Sequence, residues 1–197
     1  MPPASPPSHP GPATDDERWS DTLRRRGAVV LSAFSILWVL VAASGLSGVA
    51  GVLRRIGGIV VACALIAAAR RHRTARVRLR RQAPGWRQRV GLVNAAQLVA
   101  IAVVVVAALT AGAPQLVAPL VAIVVGLHFV PLAPAFDEPG YRATAVGLGV
   151  AGVLGLLLLL LGPGADDEDT QAASRLATGA VATATLWGTA LRLVRGS

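Results

Sequence analysis

Six long stretches of the chain carry almost no charge, at residues 27–50, 51–69, 90–112, 116–136, 143–162 and 172–194. A run of roughly 18 or more apolar residues is long enough to cross a bilayer as a helix, and inside hydrocarbon only a helix or a closed barrel satisfies its own backbone. The pattern predicts an all-α polytopic membrane bundle of six transmembrane helices, with residues 23–197 as its single domain. A composition of 54% hydrophobic against 15% charged residues excludes an ordinary soluble enzyme fold. Two segments depart from the simple pattern. The second is uncharged only from Ile56 to Ala69, so it must recruit residues from Gly51 onward and let Arg54 and Arg55 snorkel to the interface. The sixth carries Ser174, Thr178, Thr183, Thr185 and Thr189. A five-span chain without the sixth segment, or a re-entrant second segment, remains open at this point.

Residues 1–22 combine Pro and Ser with Asp15, Asp16 and Glu17, a composition that buries too little apolar surface to order itself, and they are expected to form a disordered cytoplasmic tail. The apolar run after Arg24, Arg25 and Arg26 is far longer than the core of a cleavable signal, so the first span is expected to stay attached.

Charge sets the expected topology, because arginines near span ends are retained in the cytoplasm. The 19 basic residues are all arginine. With six spans and an inside N-terminus, 16 of them fall in cytoplasmic parts and only Arg54, Arg55 and Arg175 outside, together with the acidic loop Asp166 to Asp169. Both termini are therefore expected in the cytoplasm. An arginine-only chain rich in Ala, Val, Leu and Gly also fits a GC-rich bacterial genome and hence a bacterial inner (plasma) membrane. The absence of lysine removes a Walker-type phosphate loop and Schiff-base chemistry, and the lone Cys63 allows no intramolecular disulfide.

The basic segment from Arg70 to Arg89 has nine arginines and no acid. Arg70, Arg71, Arg73, Arg76, Arg78, Arg80 and Arg81 are expected to determine topology and attract anionic lipid, with Trp86 as a headgroup anchor. One Trp makes no stacking platform, so no nucleic-acid partner is expected. Gly147, Gly149 and Gly152 match a dinucleotide fingerprint by spacing, but they lie inside one apolar span with no preceding strand. Gly147, Ala151 and Gly155 instead place a small residue at every fourth position, the spacing that lets helices approach closely in lipid. Gly45, Gly48 and Gly51 suggest a further close contact or a bend.

Polar side chains inside spans cost free energy unless they are paired or face a cavity. His128 and Gln97 lie about 12 and 10 Å from the cytoplasmic ends of their antiparallel spans, Thr185 about 13 Å and Asn94 about 6 Å. Similar depth, with Pro131 and Pro134 freeing carbonyls nearby, suggests a polar intramembrane site of His128, Gln97, Asn94 and Thr185. The alternative role for these groups is interhelical hydrogen-bond glue. No GxSxG, HExxH or membrane-embedded acid pair occurs, so a non-enzymatic protein without cofactor or metal is expected, with small-solute transport or sensing as its role. An accessory or scaffold subunit, in a homo-oligomer or with a membrane partner, is the competing expectation.

The stretch Gly126-Leu-His128-Phe129-Val-Pro131-Leu132-Ala133, followed by Pro139-Gly-Tyr141, resembles a signature of small uncharacterised bacterial multi-span membrane proteins, loosely GLHFxPLA and then a proline-tyrosine turn. The resemblance implies that His128, Phe129 and Pro131 form a family feature, and it implies no activity. In this chain the acidic pair Asp137 and Glu138 follows the motif, where basic character would be expected.

Overall fold

The structure is a computed structural model that describes residues 15–71 and 85–195. Six helices follow one another: α1 (Asp15–Ser44), α2 (Gly48–Arg71), α3 (Trp86–Thr110), α4 (Val117–Phe136), α5 (Gly140–Leu161) and α6 (Glu168–Arg195). A 3-10 turn at Pro114–Leu116 leads into α4, and no strand occurs among the described residues. Five segments are long and apolar enough to cross a membrane: Arg26–Ser44, Gly48–Arg71, Trp86–Thr110, Pro114–Phe136 and Gly140–Leu161.

Two boundaries differ from the sequence expectation. α1 starts at Asp15, so residues 15–22 of the expected tail are helical, while residues 1–14 lie outside the described residues. It also ends at Ser44 instead of near residue 50, because the chain turns through Gly45 and Leu46 and re-enters a helix at Gly48, whose φ of 61° suits a residue without Cβ. α2 gains those residues. As one unbroken helix of 24 residues it is about 36 Å long, enough to cross without re-entry, with Arg54 and Arg55 in its second turn.

α6 is the helix around which the others gather. Its 28 residues fall short of a span by composition alone, yet ten of them are buried, among them Ser174, Thr178, Thr183 and Thr189. A helix shielded by neighbours on most sides does not have to be apolar all round. α1 runs antiparallel along its length, Gly27 lying against Leu193, Ser35 against Trp187 and Gly45 against Ala172. α5 runs antiparallel on another face, where Ser174 donates to the Gly155 carbonyl at 2.9 Å and Thr144 shares a 2.7 Å hydrogen bond with Thr189. α4 packs on α5 and α3 on α4, while α2 packs on α1, so the spatial order is α2, α1, α6, α5, α4, α3.

Small residues make these approaches close. A Cβ at position 179 would collide with the backbone of Ala42 and Trp38, one at 155 with Thr178, and one at 152 with the Pro119 carbonyl and Ile123. The GxGxxG segment is thus a packing surface, with Gly147 against Thr185 of α6 and Gly152 against α4. Replacing Gly179 by Leu is expected to force α1 from α6 and to destabilise the protein by about 1–3 kcal/mol, the usual cost of overpacking. Gly149→Leu, at a position where a Cβ would meet nothing within 4 Å, is the control. Thermal unfolding of both variants in detergent checks the difference.

The start of α6 is capped by Asp167, whose carboxylate accepts from the Thr170 hydroxyl at 2.7 Å and the Thr170 backbone N–H at 2.8 Å. These two bonds hold its pKa below the usual carboxylate value. A depressed folded pKa gives a contribution that is fully present above about pH 4 and is lost as pH falls through the lowered value. Asp167→Asn, which keeps an acceptor but cannot titrate, is expected to flatten the pH dependence of amide exchange at residues 168–171 below pH 4.

Candidate functional site

α1 packs along α6 and α4 packs on α5, and the two leave a groove between them, flanked by α3. The cavity is about 450 Å³, within the roughly 300–1,000 Å³ usual for small-molecule sites. Gly27, Leu31, Phe34 and Trp38 line it from α1; Asn94, Gln97 and Leu98 from α3; Val125, His128, Phe129, Leu132 and Phe136 from α4. Val30, Trp86, Tyr141 and Leu186 complete it, with Arg26 at the mouth where the apolar part of α1 begins. The lining is mainly apolar with a few convergent polar groups, the usual constitution of a ligand pocket.

Open backbone carbonyls tie the groove together at one end. Pro131 and Pro134 lie inside α4, so the carbonyls of Leu127 and Val130 lack their helical N–H donors. Ala135 lies in the last turn of α4, where backbone carbonyls have no helical N–H donor. Trp86 supplies the missing donor, its indole N–H bonding to the Ala135 carbonyl. This pins the start of α3 to the end of α4. Trp86 is therefore a fastener between helices, a role the sequence alone did not suggest. Edge-to-face rings continue from it: Trp86 on Phe136 at 5.2 Å, Phe136 on Tyr141 at 5.8 Å, Tyr141 on Phe129 at 5.4 Å and Phe129 on His128 at 5.8 Å.

Of the four residues suggested as a polar site, the groove brings together His128, Gln97 and Asn94. His128 is half-buried, the backbone of Val93 faces its ring, and its Nδ1 is buried without a hydrogen-bond partner. Gln97 is half-buried and Asn94 exposed. Thr185 is elsewhere: its hydroxyl donates to the Val181 carbonyl at 2.8 Å and its side chain packs on Gly147 of α5. Among the described residues, no three His, Cys, Asp or Glu side chains gather as metal ligands would.

Arg70 and Arg71 are exposed at the end of α2, whereas Arg73, Arg76, Arg78, Arg80 and Arg81 lie outside the described residues. The α1 wall of the groove escaped the sequence reading. Its signal was the 4, 3, 4 spacing of Gly27, Leu31, Phe34 and Trp38, which sets them on one helical face.

Comparison of the chain with protein-family models, curated proteins and solved structures finds no match. Trp86→Phe keeps the ring contact with Phe136 but removes the donor to Ala135, and is expected to cost about 1 kcal/mol. Differential scanning of the purified variant checks this, with a larger loss for Trp86→Ala.

Proposed function

We propose that this chain is a non-enzymatic integral protein of the bacterial inner membrane, with six spans and both termini in the cytoplasm, that binds a membrane-soluble small molecule in the α1–α3–α4 groove. Its role is sensing or handing on that molecule. The observation that carries the reading is His128, with an unpartnered buried Nδ1, placed with Asn94 and Gln97 in an otherwise mainly apolar groove. Buried polar atoms in a folded protein normally have partners, and one left over in a cavity is a group a ligand can satisfy.

The six-span layout is supported by α6 running antiparallel beside α1 from Gly45 to Gly27, which takes it through the same thickness as an apolar span. Orientation is supported by charge. Arg26, Arg70, Arg71, Arg87, Arg89, Arg142, Arg192 and Arg195 belong to one end of the antiparallel bundle, and Arg54, Arg55 and Arg175 to the other. Binding is favoured over conduction of a polar solute because the groove ends at Val125, Trp38 and Leu98, and the opposite half is closed by contacts such as Ser174 with Gly155 and Gly179 with Ala42.

A second reading, an accessory subunit, draws on α2 and α3, which are 17% and 6% buried over their apolar windows and so present nearly whole surfaces to a partner or to lipid. Native mass after gentle extraction separates the two readings, since a stoichiometric second protein favours the subunit.

In a Cys63→Ser background, Ser5→Cys and Ser197→Cys are expected to react with an impermeant thiol reagent from the same, cytoplasmic side; labelling from opposite faces would overturn the even span count. His128→Leu is expected to leave the melting temperature unchanged or higher, because removing the buried, unpartnered Nδ1 offsets the loss of the ring's contact with the Val93 backbone. A clear drop would make His128 packing glue and sink the site.

A further inference from the structure

The groove's chemistry narrows what could occupy it. His128 lies about 12 Å from the end of α4 at Phe136, and Asn94 about 6 Å beyond Val90, where the uncharged part of α3 begins, so both sit inside the apolar stretches of their helices. A formal charge is costly at that depth, and among the lining residues the one arginine, Arg26, sits at the mouth. What the deep part offers is uncharged. The carboxamides of Asn94 and Gln97 each carry N–H donors, and the His128 imidazole carries one nitrogen that donates or accepts according to tautomer. Their natural complement is a carbonyl or hydroxyl oxygen on a neutral head.

The α1 wall is aromatic. Phe34 and Trp38 from α1 line the groove, with Phe129 beside His128 on α4, and such rings pack well on a flat ring. The groove also opens sideways, since Phe34 on the α1 rim is 51% exposed and Leu98 on the α3 rim 69% exposed. Large apolar side chains on both rims at membrane depth make a slot that an apolar tail can occupy while its head stays inside.

We propose that the groove is a binding site for a membrane quinone, a flat, uncharged, carbonyl-bearing ring held at His128, Asn94 and Gln97, with its isoprenoid tail leaving between α1 and α3. The assignment rests on the groove being a ligand site and adds the ligand's class. It involves binding alone, without electron transfer.

The test uses the full chain in nanodiscs of neutral phospholipid, titrated with a short-tailed quinone while tryptophan fluorescence is followed. Trp38 and Trp86 line the groove and act as reporters. Saturable quenching near one quinone per chain is expected, with half-saturation at least tenfold weaker in His128→Leu and in Gln97→Leu, and unchanged in Thr185→Val. Two substitutions are used so that failure of one to fold leaves the other informative. Trp38→Phe should remove much of the quenched signal. Quenching that never saturates, or that is equal in wild type and both groove variants, overturns the quinone assignment.

A parallel titration with a single-chain alkyl phosphate separates the two levels of the argument. If the phosphate binds saturably, depends on Arg26 and the quinone does not bind, the groove is a ligand site for an anionic amphiphile and only the quinone is wrong. If neither binds and organic extraction of the natively purified protein yields no small molecule, the ligand-site reading falls as well.

Discussion

Everything else in this bundle depends on how closely α6 lies against α1 and α5. Between helices in lipid there is no hydrophobic drive, because the surrounding tails are as apolar as the side chains, so association relies on close packing and hydrogen bonds. Gly179 lets the backbone of α1 approach, and Gly155 and Gly147 do the same for α5. At those distances short side chains reach across: Ser174 to the Gly155 carbonyl, Thr189 to Thr144, Trp187 to Ser35. The groove follows from this arrangement, since α1 is held on α6 and α4 on α5, and the two hardly touch each other.

Much of this was legible in the sequence, and the part that was not has a definite cause. Apolar runs report length and depth, so four of the segments stood out at once and His128 and Gln97, which both line the groove, could be compared in level. Azimuth is harder. Thr185 lies at a similar depth, yet it belongs with Ser174, Thr178 and Thr189 on the face toward α5, away from the groove. A single-helix pattern shows which residues share a face without saying which neighbour that face meets. The hydroxyls of α6 made it look a doubtful span for the same reason: polarity tolerable only beside other helices reads, in isolation, as polarity facing lipid. The end of α1 at Ser44 was hidden by a turn made of residues as small and apolar as the helices around it.

A helix end has a constructive role at the groove. The last turn of α4 leaves the Ala135 carbonyl without a helical donor, and Trp86, distant in sequence, closes it. Helix α3 has little other attachment, touching mainly α4 and the turn before it. One wall of the groove is therefore held chiefly by α4, while the α1 wall is backed by α6 and the α4 wall by α5.

The central place of α6 has a consequence for biogenesis. It is the last of the six helices to leave the ribosome, and Trp187 is separated by 152 residues from the Ser35 hydroxyl it bonds. Until it arrives, the Ser32 and Ser35 face of α1 and the Gly147 and Gly155 face of α5 have no final neighbour, and the two hydroxyls are satisfied within their own helix by the carbonyls of Ala28 and Ser32. Such local bonding lets early helices wait in lipid without exposed polar atoms. The packing of this bundle is thereby completed last, its core closing only when α6, with its row of hydroxyls, takes its place between α1 and α5.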